Sequence, residues 1–374
     1  MKILQISSVP INYSGGAEKV IRDSSKELVK KNEVTVLQTN LYIQEKKSSI
    51  EIKNDIKIIT CKNDYFFGGM GYSKEFKKKL KKIWKSYDVV HIHGHGRFTS
   101  LYSLWFLKNK LPIVYTPHGF FHTKKAAFIK RIHDFFFYKL IKQSKFCIAL
   151  TRLEKEKFLD IGVDKNSIVV IPNFIKLKEF KLKKNRVKFL KSLGLDSKRK
   201  TILCLGRVHE SKGLDYVVDA IKDLDVNLII AGKDAGLADK LKEKVKMLDL
   251  ENKVKIIGEV SNKKKLQCYA NSDVFVLFSE WEGFGIVMIE AMASGLPVIV
   301  SDRGPLPDIV KDGENGLVAR FRDVGELEKK IKMLVGDKKI YNKIKKNEVN
   351  FVKQFDTKKI VRQIEELYEK AIRK

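Results

Sequence analysis

Cysteine is scarce in this chain of 374 residues, and its four cysteines are far apart. Cys61, Cys147, Cys204 and Cys268 form no Cys-x-x-Cys pair, which argues against a disulfide framework and against a clustered zinc site. Three of the four lie in or beside apolar runs. We therefore expect reduced cysteines in a hydrophobic core, which agrees with a cytoplasmic compartment.

Long hydrophobic runs are also missing. No apolar run approaches the roughly 20 residues that a helix needs to cross a bilayer. The chain starts with a short β run at Met1 that meets polar residues at once and lacks the apolar core of a secretory signal. Both absences predict a cytoplasmic protein. The glycine fingerprint Gly-x-Gly-x-x-Gly is absent too, which argues against a bound dinucleotide cofactor.

Positive charge, by contrast, is abundant. The chain has 75 Lys and Arg against 45 Asp and Glu, a net charge of +30, of which residues 1–180 carry +18. Such a field favours anionic partners, namely nucleic acid, a negatively charged membrane face or a phosphorylated substrate. A lysine-rich composition with solvated side chains explains the same number, and the composition leaves both interpretations open.

Short apolar, β-branched runs alternate with amphipathic stretches along the chain. The predicted strands are 3–6, 34–37, 56–59, 89–92, 113–115, 146–150, 168–171, 202–205, 228–231, 254–257, 274–278 and 298–300. Strands that alternate with helices predict parallel sheets with both faces covered. The pattern restarts after the lysine-rich stretch 176–200, and the length is too great for one hydrophobic core, so we predict two α/β domains.

The most distinctive stretch begins where an apolar strand ends at Phe278 and continues as Ser-Glu-Trp-Glu-Gly-Phe-Gly into a helix. Gly283 and Gly285 allow backbone N–H groups to approach a ligand, and a helix start attracts anions. Glu282 in the loop and Glu290 in the helix can accept hydrogen bonds from a hydroxyl-rich group. Because the neighbours of Glu290 are apolar, its carboxylate is predicted to be buried and to need a partner.

Two further turns carry candidate ligand contacts. Gly206-Arg-Val-His-Glu-Ser-Lys-Gly follows the first strand of the second domain, and its Arg207 and Lys212 flank a short loop. A guanidinium and an ammonium group at a strand edge suit a diphosphate. Gly15 and Gly16 occupy the equivalent turn of the first domain and permit a close backbone approach.

Histidines gather at two predicted strand ends. Alternation places His91, His93 and His95 on one side of an extended strand, which raises the hypothesis of a metal site. No carboxylate or cysteine stands at ligand spacing beside them, so we predict that the protein has no metal site. His118, between Pro117 and Gly119, is predicted to be a cleft residue.

Together these stretches resemble the retaining glycosyltransferases with the GT-B fold, known as group 1 or family 4, over nearly the whole chain. The strongest match is Glu282 and Glu290, separated by seven residues. The resemblance implies an α/β protein of two Rossmann-like, doubly wound parallel-sheet domains that face each other across a cleft. We predict an acceptor-side domain at 1–178, a donor-binding domain at 179–354, and a helix at 355–374 that packs onto the first domain.

The resemblance also implies residue roles. Arg207 and Lys212 would neutralise the donor diphosphate, and Glu290 would bind the ribose hydroxyls. Glu282 would position the transferred sugar, and His118 would contact it near the reacting carbon. The predicted donor-binding residues are Gly15, Gly16, Gly206, Arg207, Lys212, Glu282, Gly283, Phe284, Gly285 and Glu290, and the predicted catalytic residues are His118, Glu282, Arg207 and Lys212.

The implied activity is the metal-independent transfer of a sugar, with retention, from a nucleotide-diphosphate sugar such as a UDP-sugar. The acceptor would be a glycan or a lipid-linked sugar in cell-envelope polysaccharide or glycolipid synthesis, and no cofactor is implied. One alternative is a sugar-nucleotide epimerase of the same architecture. Another is a nucleic-acid-binding protein, which the charge favours and the lack of a recognisable binding module disfavours.

Seven lysines from Lys74 to Lys85 surround an apolar stripe. At helical spacing Phe76, Leu80, Ile83 and Trp84 share one side, opposite the lysines. Basic amphipathic helices can lie on anionic membranes, which would place a cytoplasmic protein at the inner membrane face. An ordinary helix that packs its stripe against a sheet fits the same pattern, and we favour it for the packing.

Overall fold

A computed structural model describes residues 1–13, 15–42, 47–67, 70–120 and 127–373. The chain divides into two compact units, Met1–Phe174 with Thr357–Lys374, and Ile175–Asp356. The predicted boundaries at 178 and 354 differ from these by four and two residues. The reason is a parallel β-bridge between Ile175 and Asp356, in which the Ile175 N–H donates to the Phe355 carbonyl at 2.9 Å, so that both crossing points belong to the second unit.

The first unit begins with ten strands and five helices. The strands are β1 (Lys2–Ser7), β2 (Glu33–Thr39), β3 (Ser49–Lys53), β4 (Ile56–Cys61), β5 (Tyr65–Phe67), β6 (Met70–Tyr72), β7 (Val89–His93), β8 (Ile113–Thr116), β9 (Phe146–Ala149) and β10 (Ile168–Val170). The helices are α1 (Gly16–Leu28), α2 (Lys74–Ile83), α3 (Phe98–Leu107), α4 (Ala127–Ile141) and α5 (Arg152–Asp160). These counts refer to the described residues.

The second unit follows the same alternation over its described residues, and the chain then returns to the first unit. Its strands are β11 (Lys200–Leu205), β12 (Val226–Ala231), β13 (Val254–Ile256), β14 (Val274–Leu277), β15 (Val298–Ser301) and β16 (Leu317–Ala319). Its helices are α6 (Arg186–Lys191), α7 (Leu214–Ile221), α8 (Ala238–Met247), α9 (Asn262–Asn271), α10 (Ile286–Ala293), α11 (Leu306–Ile309), α12 (Val324–Gly336) and α13 (Lys338–Phe351). The last helix, α14 (Thr357–Arg373), belongs to the first unit.

The first unit is built on an eight-stranded sheet with the order β10-β9-β8-β7-β1-β2-β4-β3. Its strands run parallel, except that β3 pairs antiparallel with β4 at the edge. β5 and β6 form a separate antiparallel hairpin. The central strands β1 and β7 are buried almost throughout, as expected for strands with both faces covered. The edge strand and the hairpin were not predicted.

The second unit has a six-stranded parallel sheet with the order β13-β12-β11-β14-β15-β16. In both sheets the strand order reverses beside the first strand of the series, between β1 and β7 and between β11 and β14. In such sheets ligands bind at the carboxyl ends of the strands on either side of this switch point. The candidate glycines, Arg207, Lys212 and Glu282 follow these same strands, whereas His118 follows the neighbouring strand β8.

Helix α14 packs against α1, β7 and β8 of the first unit. Its apolar stripe includes Ile360, Ile364 and Tyr368, all buried, and Asn32 donates to the Glu365 carboxylate at 2.7 Å. Burial of this stripe explains why the final segment folds as a helix although no strand follows it.

The basic helix α2 packs its apolar stripe against the first sheet, the packing that we favoured from the sequence. Phe76 and Leu80 are fully buried, Trp84 is half-buried, and Lys78 and Lys81 are exposed.

None of the helices in the described part of the chain has the length and apolar content that a bilayer crossing requires. The four cysteines are free and buried, and burial raises the pKa of the Cys204 thiol to about 12.

Candidate active site

Two residues that lie 70 positions apart in the sequence form an ion pair at the switch point of the second unit. The Lys212 Nζ atom lies 2.5 Å from Glu282 Oε1, and the side chains are 14% and 13% exposed. Lys212 ends a short helical turn after β11, and Glu282 stands in the loop after β14. Ser279 Oγ donates to the same carboxylate oxygen at 2.9 Å. The structure thus brings together two predicted site residues.

Arg207 lies beside this pair. It lines a small pocket with Lys212 at the carboxyl ends of β11 and β14, next to Gly206 and Phe278. The Arg207 side chain is exposed and makes no hydrogen bond or ion pair with any residue that the structure describes. A guanidinium group in this state can pair with an anionic ligand without first breaking a contact within the protein.

The glycine-rich loop after β14 presents backbone N–H groups at the start of α10. Gly285 caps this helix in the left-handed conformation, with φ of 87°, and an added Cβ would lie 3.1 Å from a Leu306 methyl group. Phe284 is buried against Phe355, with ring centroids 5.9 Å apart. Within the described residues, the N–H groups of Phe284 and Gly285 find no hydrogen-bond acceptor. The loop, which also contains Gly283, therefore provides donors for an anion.

The buried carboxylate of Glu290 forms an ion pair with a lysine of the same unit, Lys265. The Glu290 side chain is 1% exposed, and Lys265 Nζ lies 2.9 and 3.0 Å from its two carboxylate oxygens. The hydroxyl group of Tyr269 donates to Oε2 at 2.9 Å. Lys265 and Tyr269 lie on α9 and were missed, because Lys263, Lys264 and Lys265 are indistinguishable in the sequence.

Gly15 and Gly16 begin α1 at the switch point of the first unit. Gly15 is the N-cap residue with an extended backbone, and an ideal Cβ there would come within 2.0 Å of Glu18 Oε2. The absence of a side chain at Gly15 therefore makes room for the Glu18 carboxylate, a structural reason for this glycine. Burial raises the pKa of Glu18. Gly16 is exposed at the first position of the helix.

The three histidines His91, His93 and His95 do not lie on one face of a strand. β7 ends at His93, and Gly94 turns the chain with φ of 91°, so His95 leaves the strand and packs against Phe120 and Phe137. The prediction that His95 shares one strand face with His91 and His93 is wrong for this reason. Among the described residues, no three His, Cys, Asp or Glu side chains converge in a way that could hold a metal ion.

His118 joins His91 and His93 instead. His93 Nδ1 lies 2.9 Å from His118 Nε2, and the two rings are stacked. His118 lines a pocket at the carboxyl ends of β1, β7 and β8, together with Ser8, Glu18 and Arg97 among others. Burial lowers the pKa of His118 to about 4, so its imidazole is neutral at pH 7.

Two family models match the chain, one on each unit. The model of glycosyltransferase family 4 matches residues 14–179, and the model of glycosyl transferases group 1 matches residues 185–351. The chain belongs to this glycosyltransferase family. The family resemblance that the paired glutamates and the glycine-rich loops indicated is confirmed.

This glycosyltransferase has relatives along most of its length. It is 30% identical over 257 residues to a 41.2 kDa protein of the cps region of Klebsiella pneumoniae, a match that covers 67% of this chain and 69% of the relative. It is 29% identical over 328 residues to the UDP-Gal:alpha-D-GlcNAc-diphosphoundecaprenol alpha-1,3-galactosyltransferase of Escherichia coli, covering 82% and 81%.

Other proteins of known structure have the same fold as this glycosyltransferase. HepE of Anabaena, in complex with UDP-glucose, matches with a TM-score of 0.79 and 22% identity, over 99% of this chain and 100% of that chain. The predicted GT-B fold is thereby confirmed. The roles of the individual site residues remain predictions.

A buried glutamate, Glu154, lies near the His118 turn of the glycosyltransferase. Glu154 is buried in α5, and its Oε2 accepts a hydrogen bond from the Leu150 N–H at 2.7 Å. Burial raises the pKa of Glu154 to about 7, although the N–H groups of Leu150 and Gly119 oppose the rise.

Glu154 is expected to make stability depend on pH. Because its folded-state pKa lies above the value of 4.5 for an exposed glutamate, its contribution is fully present below about pH 4.5. The contribution disappears as the pH rises through about 7, a change of up to about 3 kcal/mol. Glu154→Gln cannot titrate and should lack this dependence. Urea unfolding at pH 4.5 to 8 measures it.

The difference between the unfolding free energies of the wild type and Glu154→Gln isolates this group. His118, whose pKa is lowered, destabilises the fold as the pH falls from about 6.5 to 4, but it does so in both proteins. A difference that stays constant across the pH range would show that Glu154 has the same pKa in the folded and unfolded states and would contradict the raised pKa.

Proposed function

We propose that this glycosyltransferase transfers a hexose, with retention and without a metal ion, from a nucleotide-diphosphate sugar to a glycan or lipid-linked acceptor. The observation that carries the proposal is the arrangement of Arg207, Lys212 and Glu282 at the switch point of the second unit. Two cations and a carboxylate lie at the sheet edge where nucleotide ligands bind in doubly wound folds.

The arrangement matches the charges of the reaction. Cleavage of a glycosyl–phosphate bond leaves negative charge on the diphosphate, which Arg207, Lys212 and the N–H groups at the start of α10 can stabilise. Glu282, held by Lys212 and Ser279, can accept hydrogen bonds from sugar hydroxyl groups. In this proposal the carboxylates bind and orient the donor, and a departing phosphate oxygen takes the proton of the acceptor.

Glu290 is assigned to the ribose of the donor nucleotide. Its carboxylate is already held by Lys265 and Tyr269, which fixes its orientation before any ligand arrives. Lys265 therefore joins the proposed site as the residue that orients Glu290.

A UDP-hexose is the proposed donor. The names of two similar proteins support this choice, since HepE is bound to UDP-glucose and the relative from E. coli uses UDP-Gal and a diphosphoundecaprenol-linked acceptor. On the same basis we propose a role in cell-envelope polysaccharide or glycolipid synthesis, with the protein acting from the cytoplasmic side of the membrane.

The decisive experiment is a thermal-shift screen of UDP-, GDP- and ADP-sugars with a chelator present, followed by product analysis. We expect a UDP-hexose to raise the melting temperature, and NMR of the product to show the anomeric configuration of the donor. Failure of all three donor classes to bind, or a product of inverted configuration, would contradict the proposal. Conversion of the donor alone into a new sugar nucleotide would favour the epimerase.

Lys74 to Lys85 is proposed to draw the protein to an anionic membrane. The exposed Lys78, Lys81 and Lys82 stand opposite the buried stripe of α2, free to face lipid headgroups. Each lysine near such a surface contributes about 1 kcal/mol, so reversing all three to glutamate should weaken binding to phosphatidylserine vesicles more than tenfold. Co-sedimentation with the vesicles at low and high salt measures the effect.

A matched control reverses three exposed lysines of α13 in the second unit, Lys338, Lys339 and Lys343. The two triple variants have the same net charge, so a surface that acts locally should lose binding only in the α2 variant. Equal losses in both would show that the overall charge of +30 is responsible. Sedimentation unaffected by salt or by the α2 changes would contradict the membrane proposal.

A further inference from the structure

Four buried side chains of the first unit and the half-buried His118 form a continuous hydrogen-bonded network that ends at His118. Tyr368 of α14 lies 2.6 Å from His91 Nδ1 through its hydroxyl group, and Gln5 Nε2 of β1 lies 3.3 Å from the same hydroxyl. The other end of the Gln5 amide, Oε1, lies 2.5 Å from His93 Nε2. His93 Nδ1 then lies 2.9 Å from His118 Nε2.

The Gln5 amide gives this chain a direction. Burial lowers the pKa of His91 and His93 well below the usual value, so each ring is neutral and has one N–H group. The Gln5 oxygen can only accept, so the proton of His93 is on Nε2. His93 Nδ1 then has a lone pair and accepts from His118 Nε2. Since His118 is neutral as well, its Nδ1 atom has no proton.

That Nδ1 atom has no hydrogen-bond partner in the part of the chain that the structure describes. It is buried, and the His118 ring lines the pocket at the ends of β1, β7 and β8. The backbone of His118 is left-handed, with φ of 54°, a conformation that non-glycine residues adopt rarely and mostly where the surroundings impose it. A strained residue that holds a buried acceptor without a donor indicates a ligand that brings the donor.

We infer that Gln5 is a positioning residue which, through His93, holds His118 in the Nε2–H tautomer and so reserves Nδ1 as the acceptor for a substrate hydroxyl group. This inference rests on the proposed function, in which His118 contacts the sugar. It deepens that proposal, because it states which ring nitrogen makes the contact and in which direction the hydrogen bond runs. The group recognised is a hydroxyl donor.

Gln5 is the member of the chain that decides the direction. A hydroxyl group and a neutral imidazole can each take part in either direction, whereas an amide has a distinct donor end and acceptor end. The hydroxyl group of Tyr368 accepts from Gln5 Nε2 and donates to His91 Nδ1, and this contact holds the amide in its orientation. A reversed amide would move the proton of every ring and turn His118 Nδ1 into a donor.

The test is the ring ¹⁵N NMR spectrum of protein with labelled histidine, recorded without donor or acceptor, with His118 assigned through a His118→Gln variant. In the wild type we expect a protonated Nε2 and an unprotonated Nδ1 for His118. In Gln5→Met, which removes both ends of the amide at similar length, we expect a mixture of the two tautomers. We also expect kcat to fall about tenfold, the effect of about one hydrogen bond, with a smaller change in KM.

Thr116→Val is the matched control. Thr116 contacts His91 Nε2 at 2.8 Å on the far side of the network, so this variant removes a buried hydrogen bond without touching Gln5. Its His118 tautomer and kcat should remain those of the wild type. If Gln5→Met does not fold, Tyr368→Phe releases the donor end of the amide and should produce the tautomer mixture to a smaller extent.

Two results would overturn the inference: a wild-type His118 with the proton on Nδ1, or a Gln5→Met protein in which the tautomer and kcat are both unchanged. The NMR readout does not depend on sugar transfer. A wild-type spectrum as expected, combined with a His118→Gln enzyme of normal activity, would therefore refute the proposed contact with the sugar and leave the positioning of the ring by Gln5 intact.

Discussion

Replacement of Lys212 by alanine is expected to lower kcat/KM by about 10²- to 10³-fold. The ammonium group is the half-buried cation of the proposed diphosphate site, and loss of one preorganised charge contact removes about 3 kcal/mol of transition-state stabilisation. The measurement is steady-state transfer from the UDP-hexose identified by the thermal-shift screen. Arg207→Ala should produce a smaller loss, because Arg207 is exposed and screened by solvent.

Two comparisons separate the lost contact from general effects. Lys240→Ala removes the same charge from a side chain that is 72% exposed, and it should leave kcat/KM within about twofold. In the single variant Lys212→Ala the Glu282 carboxylate loses its partner. The double variant Lys212→Ala with Glu282→Gln removes this carboxylate charge as well, and it should recover the stability that the single variant loses. Lys212→Ala with near-normal turnover, in a folded protein, would show that the diphosphate binds elsewhere.

Lys265→Met is expected to lower the free energy of unfolding by about 3 to 5 kcal/mol. The change removes the ammonium group that lies 2.9 Å from the 1%-exposed carboxylate of Glu290, and breaking a buried ion pair by removing one partner has a cost of this size. Urea unfolding at pH 7 measures it. Donor affinity should fall as well, because Glu290 loses the contact that orients it.

Lys263→Met, two positions earlier on the same helix and exposed, is the control and should change stability by no more than about 0.5 kcal/mol. Lys265→Met with Glu290→Gln removes both charges and is expected to recover most of the lost stability without recovering donor binding. A single Lys265→Met variant as stable as the wild type would mean that the Lys265–Glu290 pair is not formed in solution.

The strands that flank the switch points could be predicted because they are buried on both faces and therefore appear in the sequence as continuous apolar runs. β7 and β14 lie within a residue or two of the predicted strands. β3 was missed because it is exposed along its whole length, so no apolar run marks it. β16 was missed as well.

The residues of the candidate site could also be predicted where the prediction depends only on residue type and on the local backbone. Arg207 and Lys212 follow β11, and Glu282 follows β14, so their strands alone bring them to one sheet edge. The local sequence pattern does not show which side chains of separate strands and helices contact each other. Nothing near Lys265 or Tyr368 in the sequence indicates that one orients Glu290 and the other holds the Gln5 amide.

The sequence by itself determined the two doubly wound units, the strand ends that carry the candidate site residues and the family to which the chain belongs, because burial periodicity and short glycine-rich turns are local properties. Only the tertiary structure decided that Lys212 pairs with Glu282, that Lys265 holds Glu290, and that Gln5 and His93 direct the His118 ring. Each of these depends on distances between atoms far apart along the chain, which are set by the packing of separate strands and helices.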